Sequence, residues 1–212
     1  MSKDDVTARL ERYAELVIET NKRFNLTGAK TREELEPHIA DSLTLAPYVV
    51  GPLVDIGSGG GLPAIPIAIA TGVRVTLIES TSKKAQFLAH ALEELGLEGE
   101  VVAQRAEVAA HDERLRERFA CGTARAVATA PTVAELLLPF LAIGGVAILQ
   151  RGTMDAREHS ALEDASLMLG ARVESETTLD QSRRIVFVRK TGATPLRFPR
   201  RTGVPEKRPL CL

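Results

Sequence analysis

The 212-residue sequence carries 27 Lys and Arg against 28 Asp and Glu, a net charge of −1, and is 44% hydrophobic. That length suits a single domain, since one core commonly serves about 100–200 residues, and the composition excludes wholesale disorder. The charge balance excludes a chain that coats nucleic acid everywhere, but not one with a local basic face.

Val6, Leu10, Tyr13, Val17 and Phe24 recur at three- to four-residue spacing, which predicts an amphipathic helix over 4–21. A second helix is expected from Glu33 to about Val49, with Leu35, Ile39, Leu43 and Leu45 facing inward, ended by Gly51-Pro52. From Leu53 the rhythm changes. Leu53–Ile56, Val73–Ile78, Glu100–Ala103, Ala124–Thr129 and Val146–Gln150 read as strands. Pro63–Ala70, Ser82–Leu95, Ala106–Phe119, Val133–Leu141 and Asp155–Leu169 read as helices. Such alternation implies right-handed crossovers and a parallel sheet. Ala171–Leu179 and Arg184–Lys190 are separated only by Asp180–Arg183, too short for a crossover, so they must form an antiparallel hairpin. The expected fold is therefore α/β and Rossmann-like: a seven-stranded, mostly parallel sheet with a C-terminal antiparallel hairpin. Its segments are a helical cap (1–50), the core (51–192) and a basic, proline-punctuated strap (193–212) lying on the surface.

Cys121 and Cys211 form no CxxC pair, the first residues lack the apolar stretch of a signal peptide, and no run approaches the roughly 18 apolar residues of a membrane span. A cytoplasmic protein without a metal site or membrane contact is expected. His38 and Asp41 lie three apart on a helix and suit a surface hydrogen bond. His90, His111 and His159 fall in charged stretches and are expected to face solvent. No HExxH or GxSxG appears, so hydrolysis has no visible apparatus.

The strongest local signal is Val54-Asp55-Ile56-Gly57-Ser58-Gly59-Gly60-Gly61-Leu62-Pro63, a glycine turn between a strand and a helix. Glycines there let backbone approach a ligand closely. Asp55, two residues before Gly57, can meet an ammonium. Glu79, 24 residues after Asp55 at the end of the next strand, can accept both hydroxyls of a ribose. Glu79 suits NAD as well as S-adenosylmethionine. Asp55 and the final hairpin favour the latter, leaving an NAD-dependent oxidoreductase as the runner-up. Charge is uneven: between Arg183 and Arg208 nine basic residues meet one acid, Glu206, giving +8 there and −9 elsewhere. Arginines interleaved with Phe198 and prolines suit contact with phosphates.

The order of motifs resembles the bacterial small-subunit rRNA guanine-N7 methyltransferases of the glucose-inhibited division protein B type, from Asn25 to Leu210. It rests on Asn25-Leu26-Thr27, His38-Ile-Ala-Asp41-Ser42-Leu43, the glycine loop, Glu79-Ser-Thr-Ser-Lys83-Lys84, Arg105-Ala106-Glu107, Arg125-Ala126-Val127, and Pro199-Arg200-Arg201…Gly203…Pro205…Lys207…Pro209-Leu210. The resemblance implies methylation of a guanine in 16S rRNA of the 30S subunit by a monomeric enzyme. It implies cofactor contacts from Asp55, Gly57, Ser58, Gly59, Gly61, Leu62, Glu79, Ser80, Ala106, Glu107 and Arg125. Asn25, Arg125 and Arg151 would position the substrate, and Lys83, Arg105, Arg183, Arg200, Arg201 and Lys207 would meet RNA. Ala64 stands where the family usually has glycine, and Gln150-Arg151-Gly152 where a lysine–glycine pair is usual. Because guanine N7 bears a lone pair and no proton, no general base is expected. The alternatives are methylation of another RNA or a small molecule, and a non-catalytic RNA-binding protein.

Overall fold

The computed structural model describes residues 3–125, 128–180 and 183–212, which divide into two compact units, Met1–Ala103 and Gln104–Leu212.

The first unit begins with α1 (Lys3–Asn21) and α2 (Arg32–Leu43). Thr31 caps α2 by accepting the Glu34 N–H. The helix stops at Leu43, six residues before the expected end, and a 3₁₀ turn over Ala46–Tyr48 replaces its last part. Pro47 lies in that turn, where it denies the chain the amide donor that α-helix would need. Strands β1 (Leu53–Ile56), β2 (Val75–Ile78) and β3 (Gly99–Val102) pair in parallel, Leu53 opposite Val75 and Val75 opposite Gly99. Helices α3 (Ala64–Thr71) and α4 (Ser82–Glu94) are their crossovers. Every residue of β1 and β2 is buried, as expected for parallel strands covered on both faces. Helix α3 is apolar almost all round and correspondingly buried.

In the second unit four expectations miss. The helix expected over 133–141 spans Ala130–Leu137, and the strand expected over 146–150 spans Leu141–Arg151. The helix expected over 106–119 shrinks to α5 (Ala106–Ala109), and turns carry the chain onward. These turns let Arg116 reach inward, where its guanidinium donates to the carbonyls of Ala110, Thr194 and Phe198. The fourth strand, β4, is Phe119–Ala124 rather than 124–129. The misreading has a cause at Gly122. A Cβ there would come within 2.9 Å of Leu137 Cδ1 and 3.0 Å of Leu141 Cδ2, so the strand keeps a glycine that looks like a turn signal. Ala126 and Val127 of the expected strand, and Gln181 and Ser182 of the hairpin turn, lie outside the described residues.

The unit continues with α6 (Ala130–Leu137), a 3₁₀ turn (Leu138–Phe140), β5 (Leu141–Arg151), α7 (Ala156–Met168), β6 (Ala171–Thr178), β7 (Arg184–Lys190) and α8 (Val204–Lys207). Strand β5 pairs in parallel with β4 and antiparallel with β7, which also pairs antiparallel with β6. The seven strands run in the order β3-β2-β1-β4-β5-β7-β6, five parallel and a closing hairpin. Among the described residues no helix is long and apolar enough to cross a membrane.

The strap is seated, not loose. Phe198 and Leu210 are buried, α8 forms within it, and Thr132 donates its hydroxyl to Pro205 O at 3.0 Å.

Candidate functional site

In the first unit the glycine loop follows directly from the carboxyl end of β1. Its backbone is held at almost every step. Gly57 and Ser58 donate to Ile78 O at 2.9 and 3.2 Å, and Gly61 donates to Ser58 O at 2.7 Å. Ser58 Oγ donates to Asp55 O at 3.0 Å. Gly57, Gly59 and Gly61 have φ of 65°, 54° and 94°, a region that side chains disfavour. Two kinds of glycine emerge. Gly57 is exposed and Gly59 half-buried, whereas Gly60 and Gly61 are buried. A Cβ on Gly60 would fall 2.5 Å from Thr27 Cγ2, and one on Gly61 would fall 2.4 Å from Ile65 Cδ1. Gly61, expected beside the cofactor, thus allows the loop to close against α3, while Gly57 and Gly59 leave backbone accessible.

Glu79, at the end of β2 and 6% exposed, ties the loop to α4. Its Oε2 accepts the Gly59 N–H at 2.9 Å and its Oε1 accepts the Thr81 N–H at 2.7 Å. Each oxygen keeps a further acceptor position after these bonds. The carboxylate is therefore fixed in orientation and still able to receive one hydroxyl per oxygen. Asp55 is buried at 1% exposure two residues before the loop, so a carboxylate lies at that strand end too.

Sequence reasoning missed the supports behind the loop. Tyr13, fully buried in α1, donates its hydroxyl to Gly60 O at 2.7 Å. Asn21, the last residue of α1, accepts the N–H groups of Leu26 and Thr27 at 2.8 and 3.0 Å, and its amide nitrogen donates to Thr27 O at 3.2 Å and also to Ala29 O. It thereby shapes the Asn25-Leu26-Thr27 turn that presses on Gly60. A buried tyrosine hydroxyl needs a partner, and that rule was the signal available in the sequence. Asn25 itself is exposed, as are Ser80 and Lys83 beyond β2.

The second unit holds the remaining expected residues. Ala106 and Glu107 open α5 just after Arg105, which is exposed. Glu107 is buried and accepts the Gly203 N–H at 2.8 Å, so its carboxylate serves the strap. Arg125 follows β4 and is half-buried. Arg151, at the end of β5, donates to Ala128 O at 2.5 Å and to Glu158 Oε1 at 2.8 Å, the same oxygen that accepts the Ala130 N–H. One guanidinium thus fastens the start of α6 to α7, a fork that a lysine cannot reproduce. Arg183 pairs with Asp180 across the hairpin turn at 2.6 Å. Arg200 is turned inward: its Nη2 lies 2.6 Å from Glu135 Oε2 and its Nε 2.9 Å from Oε1, with Glu135 fully buried. Arg201 and Lys207 are exposed. His90 and His111 are exposed, as expected, although His111 Nε2 also meets Pro199 O at 3.0 Å; His159 is half-buried, its Nε2 2.8 Å from Glu176.

A family model described as rRNA small subunit methyltransferase G matches residues 6–186. The chain belongs to this family. Ribosomal RNA small subunit methyltransferase G of Rubrobacter xylanophilus is 41% identical over 216 residues, covering 95% of this chain and 82% of that protein. Its counterpart in Pelotomaculum thermopropionicum is 42% identical over 214 residues, covering 95% and 90%. Among solved structures, a mutant of MtNAS in complex with S-adenosylmethionine superposes with a TM-score of 0.57 at 18% identity, over 87% of this chain and 73% of that one. A T. thermophilus 16S rRNA methyltransferase in complex with AdoMet and guanosine gives 0.50 at 16%, over 75% and 40%. These distant structures carry the fold, the Rossmann-like methyltransferase sheet.

The family's methyl donor is S-adenosylmethionine, and the loop fits it better than a dinucleotide. A pyrophosphate at a glycine loop needs free amides. Here Gly57, Ser58, Gly59 and Gly61 have already given their N–H groups to Ile78, Glu79 and Ser58. Two buried carboxylates, Asp55 and Glu79, adjoin the loop. They repel a pyrophosphate and suit a cationic ligand with ribose hydroxyls.

Proposed function

We infer that this methyltransferase places a methyl group on N7 of a guanine in the 16S rRNA of the small ribosomal subunit. The observation that carries the cofactor side of this reading is the Glu79 carboxylate, held by two backbone amides with one acceptor position free on each oxygen. The substrate side is supported by the relatives' printed names and by the residues that share the family's motifs.

When bound, S-adenosylmethionine supplies a methyl group on a sulfonium. Glu79 receives the ribose hydroxyls, Asp55 the ammonium, and Gly57 and Gly59 leave room for the ligand to lie along the backbone. Because guanine N7 bears no proton, no side chain has to remove one. The protein's contribution is orientation, which is worth up to about 7–11 kcal/mol when the reacting atoms are aligned. Exposed Asn25, in the turn between α1 and α2, and Lys83, Arg105 and Arg125, which follow β2, β3 and β4, are assigned to holding the RNA.

The test is incubation with labelled S-adenosylmethionine and 30S subunits lacking the modification. Label should enter 16S rRNA as 7-methylguanosine, at a rate nearly flat from mildly acidic to mildly alkaline pH. Label on another atom, or a bell-shaped profile of the chemical step, rejects the N7 assignment. Tight NAD binding by the wild type rejects the cofactor assignment.

A further inference from the structure

The strap's arginines divide into two sets. Arg200 is consumed by buried Glu135, whereas no carboxylate pairs with Arg197 or Arg201 among the described residues. Both unpaired arginines line a cavity of about 640 Å³ within the second unit. Its other walls include Val108 and Leu196, large apolar side chains 53% and 80% exposed. Exposed apolar side chains beside solvated cations make a surface that a ligand with an anionic group and an apolar face can cover.

The rim is fixed rather than pliant. Arg116 donates to Phe198 O at 3.0 Å, and buried Phe198 lies under Arg197, whose Cζ is 5.1 Å from the ring centroid. Pro199 O accepts from His111 Nε2 at 3.0 Å, and a carbonyl can only accept, so that nitrogen carries the proton. The one acid in the wall, Glu107, accepts the Gly203 N–H.

We propose that this cavity is a binding site for an unstacked, single-stranded RNA nucleotide, its phosphates on Arg197 and Arg201 and its base face on Leu196 and Val108. The proposal rests on the RNA substrate inferred above and adds a contact surface carried by the strap. An acidic peptide would satisfy the arginines but would leave Leu196 and Val108 without a matching apolar face. RNA offers both chemistries in one unit.

The experiment measures binding of the full-length protein to undermethylated 30S subunits and to polyuridylate across a salt series. An R197E/R201E double variant should reduce the log–log salt slope by about 1.4, the value for two single-strand phosphate contacts, and weaken binding roughly tenfold or more. Leu196→Ala should weaken polyuridylate binding several-fold with the slope unchanged. Both variants should keep the wild-type melting midpoint and S-adenosylmethionine affinity. An unchanged slope and affinity in the double variant, or competition by polyglutamate as strong as by polyuridylate, overturns the proposal. A wild type that methylates 30S subunits while the variants bind normally sinks the cavity alone. A wild type that neither binds nor methylates ribosomal particles sinks the parent reading with it.

Discussion

The glycine loop and the C-terminal strap are both irregular, and both contain the charged residues that a sequence marks as functional. They differ in what the buried carboxylate holds. In the loop, Glu79 holds two backbone amides and keeps an acceptor position open on each oxygen. Beneath the strap, fully buried Glu135 of α6 is filled by the guanidinium and the backbone N–H of Arg200, whose Nη2 also donates to Arg208 O at 2.7 Å. A charge satisfied by backbone can still greet a ligand; one satisfied by an opposite charge is sealed into the fold. Of the neighbouring pair Arg200 and Arg201, only the second is left for a partner.

The sharpest way to break this contrast is to remove Glu135. Glu135→Ala leaves Arg200 half-buried without its counter-ion, a defect that costs about 3–5 kcal/mol. For a chain of this size that is roughly 6–20 °C in melting midpoint. Arg201→Ala, at an exposed position, should stay within about 0.5 kcal/mol. Thermal unfolding of the two variants side by side checks the difference, and equal midpoints would erase the division of the strap.

Most of the fold was legible because its elements obey simple periodicities. Helices α1, α4 and α7, strands β1, β2 and β7, and the hairpin fall within two residues of their expected bounds. Two of the misses share a cause. At Gly122 and along 110–118 the local pattern was set by distant partners: Leu137 and Leu141 demanding a strand glycine, and the strap demanding Arg116. The loop's glycines were readable as a turn, but only packing shows that Gly60 and Gly61 accommodate Thr27 and Ile65. The strap's charge was readable as well. Its division was not, since nothing within the strap indicates that Glu135, sixty-five residues before Arg200, would claim it.

Glu79 sharpens the comparison from the other side. Glu79→Gln keeps the side chain's shape but offers only one acceptor oxygen, so its NH₂ must face either the Gly59 or the Thr81 N–H. Charge-assisted hydrogen bonds are worth about 1.5–3 kcal/mol, so S-adenosylmethionine affinity should fall roughly ten- to hundredfold. Calorimetry measures the loss, with circular dichroism showing the fold retained. Wild-type affinity in this variant would mean that the carboxylate organises the loop without touching the ligand.

The smallest effect expected is a pH dependence anchored where the strap leaves β7. Lys190, fully buried, donates to Leu138 O at 3.1 Å, to Glu117 Oε1 at 3.2 Å and to the Thr194 hydroxyl. Burial pushes the Lys190 ammonium below its ordinary pKa, with Glu117 opposing. Burial also pushes the Glu117 carboxyl up, but the Thr194 N–H at 2.8 Å, Lys190 and Arg116 together outweigh it and hold the group below the carboxylate range. A carboxyl depressed in the folded state stabilises the fold above its unfolded pKa of about 4.3, and that stabilisation is lost as pH falls through the folded value. The lysine acts at the other end: its depressed folded pKa makes stability rise with pH between the folded and unfolded values. Between these limits both groups are charged and the pair contributes no slope. Denaturant titrations from pH 3 to 7 should therefore show a shallower acid limb for Glu117→Gln than for the wild type. The same substitution removes the anion that opposes burial, so Lys190 should lose its proton at lower pH than in the wild type. Superimposable acid limbs would show that Glu117 gains nothing from its partners on folding, and the anchor would then rest on Leu138 and Thr194 alone.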